Sequence, residues 1–493
     1  MSEAIHHLSA GEIADAVGRR RLSATEVAAA FLARTESLNP GINAVCTLNP
    51  RLREEAREAD ARLAGGGEPR PLEGVPFLVK DVIETRGIRT SFGSRIMQDH
   101  VPEIDALSVT RLKEAGAIVL GKTNTPEFAT DINTTNAIFG MTRNPWDVNV
   151  TPGGSSGGTG AGVAAEMAPI GLGTDLGGSI RIPASFNGIV GLRPSTGRVP
   201  VYPQDYGWDT LVAHVHGPMA RRIADLGLML AALAGPHDLD PSSLPAQPHD
   251  YAAAGSGRSE VRGRRIAFCL DLGGVVPVEP EVAGLVTAAA RRLEGLGCPV
   301  EEACFDASDL REIISGTRGF NMIARYIDRY EAHRDKMAKA LLNQIEGAMS
   351  VDVRTVTRAE RRRTDYWHRV RAVLTRFDYI VTPTIGAPPF RLDEPLPTTV
   401  GGRPVERFYD VLLTCYGFSI TGLPALSVPC GFTRSGLPVG MQIVGRRHRD
   451  DQVLELGAAF EAAAPEFFQR PRIDLDAIRP VSSAFATPGI KIG

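Results

Sequence analysis

The chain has 493 residues, with 54 basic and 57 acidic side chains and a formal net charge of −3. That balance removes any bulk electrostatic reason to bind nucleic acid, and 43% hydrophobic residues exclude a disordered polymer. Of the basic residues, 48 are Arg and only six are Lys, at positions 80, 113, 122, 336, 339 and 491. An Arg cannot give up its proton, so those six lysines are the candidates for any amine base.

In chain order, Ser9 with Glu12 and Ser23 with Glu26 fit the Ser-x-x-Glu capping box, which predicts two N-terminal helices, the second ending at Asn39-Pro40-Gly41. Leu72 to Val79 is apolar and ends at Lys80-Asp81. Ala106 to Ala115 reads as a helix, and Ala117 to Leu120 as a buried strand. Residues 151–200 are the most Gly-rich stretch. Residues 235–263, rich in Pro, Ser, Ala and Gly, read as a long surface connection. Ile266 to Leu270 predicts a strand, Val282 to Leu296 an amphipathic helix, and 308–377 a mostly helical, Arg-rich region. Tyr379 to Val381, Ala425 to Pro429 and Val439 to Val444 predict late strands. Strands alternating with helices place the chain in the α/β class. The tail around Ala486 to Gly489 is expected to be loose.

The cysteines at 46, 269, 298, 304, 415 and 430 include no Cys-x-x-Cys, and their gaps match neither a zinc site nor a disulfide framework. Buried, reduced thiols in a cytoplasmic protein are therefore expected. The N-terminus lacks the basic-then-apolar pattern of a signal peptide. The longest apolar run, Leu226 to Gly235, spans about ten residues against the ~20 of a membrane helix, so no membrane span is expected.

Three motifs carry candidate chemistry. Gly116 to Thr123 satisfies the P-loop spelling, but its first Gly closes a helix and its middle residues read as a strand. A phosphate cradle needs the reverse order. Gly153-Gly154-Ser155-Ser156-Gly157 satisfies the nucleophile-elbow spelling, but no strand leads into it. The only histidine of the last hundred residues, His448, lies among arginines that disfavour an imidazole gaining charge. The third is Gly171 to Arg181, where Ser179 directly follows Gly177-Gly178. Such a turn offers unobstructed backbone N–H groups, as an oxyanion hole requires. His214-Val215-His216 has the spacing of a metal pair on a strand, but no carboxylate motif accompanies it, and no metal is expected. The Arg358 to Arg363 run reads as an exposed helix face.

Taken together, Gly153 to Gly158 and Gly173 to Ala184 closely resemble the amidase signature family. Gly74-Val75-Pro76-Phe77 leading to Lys80-Asp81, Gly121 to Asn124, Arg143 to Trp146, Gly217 to Arg221, Gly422 to Pro429 and Gly436 to Gly445 extend the resemblance over residues 10–465. It implies one α/β/α domain over 1–493 with a large mixed β-sheet core flanked by helices. The signature core would cover about 70–200, and a variable, substrate-lining helical region about 300–410. It implies Ser179 as the acylated nucleophile, Ser155 as a bridging serine behind a cis Gly154–Ser155 peptide, and Lys80 as base. Leu176, Gly177, Gly178 and Ser179 would supply the oxyanion hole. Thr174, Asp175 and Arg181 would support the site, and Ala129, Thr130 and Asp131 would line the acyl pocket. The family's reaction needs no metal or organic cofactor.

The implied activity is that of a stand-alone amidase acting on linear amide C–N bonds of a small molecule, with esters as a side activity. A homodimer is compatible with it. The alternative within the family is the glutaminase subunit of a tRNA-dependent amidotransferase. Such a glutaminase typically has Gln after the Arg of the nucleophile motif, where this chain has Ile182. Val150, Asn187 and Ser419 also depart from the family pattern, where Arg, Cys and Asn are common. These departures bear on substrate shape and leave Lys80, Ser155 and Ser179 untouched.

Overall fold

The computed structural model describes residues 4–204, 208, 214–394 and 396–479; the expected loose tail at Ala486 to Gly489 lies outside them. Both N-terminal capping boxes form. Ser9 and Ser23 accept the N–H groups of Glu12 and Glu26 at 3.2 and 3.0 Å, and each Glu accepts its serine's N–H at 2.8 Å. They start the helices Ala10–Gly18 and Ala24–Ile42. The second runs past the expected stop. Pro40 forfeits one hydrogen bond near its end without ending it, and Asn43, left-handed at φ 56°, makes the stop.

The strands are β1 Val45–Leu48, β2 Pro76–Lys80, β3 Ile118–Thr123, β4 Thr135–Asn136, β5 Gly140–Met141, β6 Ile170–Asp175, β7 Val190–Arg193, β8 Val215–Ala220, β9 Ile266–Phe268, β10 Val300–Glu302, β11 Tyr379–Pro383, β12 Thr399–Val400, β13 Arg403–Pro404, β14 Ala425–Phe432 and β15 Pro438–Gly445. Eleven form one sheet in the order β1-β3-β2-β6-β8-β7-β14-β15-β11-β9-β10, while β4–β5 and β12–β13 are separate two-stranded ribbons. The large sheet is mixed. β2 runs parallel to β3 and β6, and β9 parallel to β10 and β11; the remaining neighbours are antiparallel.

Side chains alternate between the two faces of such a sheet. Tyr379 and Val381 of β11 and Ile443 of β15 enter one apolar cluster, while their neighbours Ile380 and Val444 enter the other. Helices cover both faces, which makes this the α/β/α arrangement expected, in a single domain. The helix Pro280–Gly295 and the three helices Leu310–His333, Lys339–Met349 and Val353–Arg376 occupy the regions expected to be helical. Residues 235–263 hold only the short helix Tyr251–Gly255. No helix among the described residues is long and apolar enough to cross a membrane.

One expectation fails. Cys269 and Cys304 form a disulfide across 35 residues, with Cα atoms 4.9 Å apart, while Cys298, Cys415 and Cys430 are buried free thiols and Cys46 is half-buried. The pair lies just past the ends of β9 and β10, which are parallel neighbours. Strand pairing brings the two cysteines together, and their spacing in sequence carries no trace of it.

Candidate active site

β2 and β6 are adjacent parallel strands, in register Val79 with Leu172, so Lys80, Thr174 and Asp175 emerge together at their carboxyl ends. In open α/β sheets that is where ligand crevices form. The third component comes from the loop before the helix Gly157–Ala164. There the Gly154–Ser155 peptide is cis, as the resemblance implied. Gly154 is required by crowding, since a Cβ would lie 2.6 Å from the Ile132 carbonyl oxygen. Ser156 ties the two Gly/Ser segments together. Its N–H donates to the Ser179 carbonyl at 3.1 Å and its hydroxyl to the Thr174 carbonyl at 3.2 Å.

These elements bring Lys80 Nζ to 2.7 Å from Ser155 Oγ and 2.8 Å from Thr174 Oγ1, all three side chains being buried. Burial holds the Lys80 ammonium well below the usual lysine range, and the Asp175 carboxylate only partly opposes this. Ser179 is half-exposed and shares a cavity of about 260 Å³ with Ser155, Thr174 and the Leu176–Gly178 turn. Ala129, Thr130 and Asp131 also line it.

Asp175 and Arg181 brace the turn from behind. Asp175 accepts Arg181 Nε and Nη2 at 2.9 Å each, the Gly178 N–H at 2.8 Å and the Ile180 N–H at 3.2 Å. Burial alone would raise the Asp175 carboxyl, but the Arg181 guanidinium holds it well below the ordinary carboxylate range. Arg181 reaches on to Gln442 Oε1, Ser419 Oγ and the Cys415 carbonyl. Ser419, one of the departures, thus belongs to this network. Asn187 donates to the carbonyls of Pro152 and Pro183, tying the two signature segments together.

The N–H groups of the turn expected to hold the oxyanion differ in their commitments. The Gly178 N–H is committed to Asp175, whereas the N–H groups of Leu176, Gly177 and Ser179 have no protein acceptor among the described residues. Gly178 instead lets the backbone reach φ 125°, where a Cβ would lie 2.7 Å from Cys415 Cβ.

The P-loop spelling falls on a helix end and a strand. Gly116 follows the helix Leu107–Glu114, and Gly121-Lys122-Thr123 is the second half of strand β3. Lys122 is buried, on the sheet face opposite Lys80. Its Nζ donates to the Ile83 carbonyl and to Thr85 and Thr90 Oγ1 at 2.8 and 3.0 Å. The only cluster of potential metal ligands among the described residues is His6, His7 and Glu166, where Arg470 and Arg34 already bridge to the carboxylate.

Sequence reading assigned no site role to several wall residues. His216 on β8 and His214 just before it line the cavity. Burial, reinforced by Lys80, holds the His216 imidazole down to about 4, and its Nδ1 lies 2.8 Å from Ser108 Oγ. Arg318, Asn321, Met322, Arg325, Tyr326 and Arg329 line the cavity from the helix Leu310–His333. Their spacing of three, one, three, one and three marks a single helical face, the signal that could have found them.

The fold and this cluster define a class. The Amidase family model matches residues 26–454, and the chain belongs to the amidase signature family. Among curated proteins it is 36% identical to an acylamidase of Rhodococcus erythropolis, covering 95% of this chain and 98% of the relative. It is 35% identical to a glutamyl-tRNA(Gln) amidotransferase subunit from Moorella thermoacetica, covering 95% and 99%. Among solved structures it superposes on a bacterial aryl acylamidase of the same family with a TM-score of 0.87, at 30% identity, over 97% of this chain and all of that one.

Proposed function

We propose that this protein is a stand-alone amidase that hydrolyses linear carboxylic amides through an acyl-enzyme on Ser179. The observation that carries the reading is the buried Lys80 amine held on Ser155 Oγ, with Ser155 and Ser179 lining one cavity. A serine hydroxyl needs a base, and burial favours the neutral amine that can act as one. Ser179 Oγ attacks the amide carbonyl carbon. Its proton passes to Ser155 Oγ while the Ser155 proton passes to Lys80 Nζ. The negative oxygen of the tetrahedral intermediate meets the N–H groups of Leu176, Gly177 and Ser179. As the C–N bond breaks, Ser155 protonates the departing amine and recovers a proton from Lys80. Water then attacks the acyl-serine ester by the same relay, releasing the acid. The same acyl-enzyme accommodates esters.

The second reading, a glutaminase subunit passing ammonia to a partner, is favoured by the amidotransferase relative and opposed by Ile182 after Arg181. Turnover of aryl amides by the isolated chain separates the two. The stand-alone reading predicts hydrolysis, with Ser179→Ala and Lys80→Ala lowering kcat by about 10³-fold or more while the melting temperature stays close to wild type. Near-normal turnover by either folded variant refutes the mechanism. Activity confined to glutamine transfers the assignment to the second reading.

A further inference from the structure

One helix face in the cavity lining carries Arg318. The described acidic side chains lining the same cavity are Glu84 and Asp131. Glu84 lies 3.2 Å from His100 Nε2. Asp131 Oδ1 accepts the N–H groups of its own neighbours Ile132 and Asn133 at 2.6 and 3.2 Å. Burial raises its carboxyl, opposed in part by those N–H groups and by Arg318. Among the described residues, Arg318 has only uncharged direct partners: Gln344 Oε1 at 2.5 Å and the Phe408 ring, 4.8 Å from its guanidinium carbon. An arginine facing a half-enclosed cavity without a bonded carboxylate has donors to spare for a planar anion.

Position also counts. Gln344, the residue that holds Arg318, donates to the Thr130 carbonyl at 3.1 Å. The adjoining Asp131–Ile132 backbone packs directly on Gly154, next to Ser155. Arg318 is therefore anchored to the strip expected to face the acyl group. Phe92, Met97, Phe128 and Met322 supply apolar surface in the same cavity.

Resting on the acyl-enzyme reading above, we infer that the cavity selects amides whose acyl chain ends in a carboxylate, with Arg318 as the residue that binds it. The substrate class is then the monoamides of dicarboxylic acids, an apolar spacer separating the scissile amide from the anion.

The test uses 4-nitroanilides of succinic, glutaric and adipic acids, each paired with the alkanoyl 4-nitroanilide of matching length. The quantity read is the ratio of kcat/KM for the anionic to the neutral member, measured on one enzyme preparation, so that loss of folded protein cancels. The wild type is expected to favour at least one anionic member by about tenfold or more. Arg318→Met is expected to lower that ratio by about 10- to 100-fold, the range of a charge-assisted hydrogen bond, and Arg318→Lys to recover part of it. If Arg318→Met proves wholly inactive, the wild-type ratio and its decline with added salt decide. Turnover of the neutral anilides with no wild-type preference for any anionic partner overturns this inference alone, as does an unchanged ratio in Arg318→Met. Failure to turn over any of the anilides, with no acyl-enzyme trapped on Ser179, overturns the acyl-enzyme reading and this inference with it.

Discussion

Lys80 is where the chemistry and the physical chemistry of burial meet. The active form in the proposed relay is the neutral amine, and burial favours that form. With a neutral amide as substrate, log kcat/KM should therefore rise with slope about 1 as pH rises through the Lys80 value and then level off. The plateau should begin well below the usual lysine value of about 10.4. Lys80→Arg, which keeps the charge and cannot lose it, should be inactive across the range. A break at the ordinary lysine value, or an active Lys80→Arg enzyme, contradicts the assignment. The same shift has a cost in stability. Between the depressed folded value and the unfolded one, the unfolded chain binds more protons, so the contribution of Lys80 to stability rises with pH through that window. At this scale Lys80, Ser155 and Ser179 were legible because each stands in a spelled motif whose local backbone does the positioning. Arg318, His214 and His216 were not, because what brings them together is the meeting of a helix and a strand more than a hundred residues apart. Gly178 was legible as a turn glycine. Its N–H being committed to Asp175 was not, since that depends on where a carboxylate three residues away points.

Among the elements, the β2–β3 pair carries two lysines on opposite faces with opposite tasks. Lys80 points to Ser155 and Thr174, which line the cavity. Lys122 faces away, its three acceptors all lying in the 83–90 segment that runs on from β2. Burial lowers the Lys122 ammonium to about 8, opposed chiefly by Asp81. Its role is a tether for the segment whose first residues, Ile83 and Glu84, form part of the cavity wall. Lys122→Met should destabilise the fold by about 2–4 kcal/mol, because it strands a buried carboxylate and several acceptors. Calorimetry checks the size of the loss. The kcat of the remaining folded enzyme should stay close to wild type; a collapse of kcat with an unchanged melting temperature would place Lys122 in the chemistry instead. Both N-terminal helices, the long helices after residue 308 and the late strands were legible from apolar periodicity and caps, whereas the helices Leu52–Ala64 and Asp450–Ala463 were not. Boundaries slipped where a local signal competed with tertiary packing, as at Pro40, which lies inside a helix that continues to Ile42.

The whole molecule supplies what neither residues nor elements contain. The order of eleven strands sets β2 beside β6 and so places Lys80 beside Thr174, 94 residues later. It also sets β9 beside β10 and joins Cys269 to Cys304, against the expectation of reduced thiols. Strand order is a global property, and only the family resemblance, not periodicity, carried information about it. An acylamidase and a component of an amidotransferase share this scaffold at nearly equal identity, so the fold alone does not choose between them. The choice rests on the nucleophile and on the cavity in front of it. Mass mapping of a fluorophosphonate adduct on the intact protein tests that nucleophile most directly. The account predicts one phosphonyl group on Ser179, absent in Ser179→Ala and formed far more slowly in Lys80→Ala. An adduct on Ser155, or labelling that persists undiminished in Ser179→Ala, would contradict it.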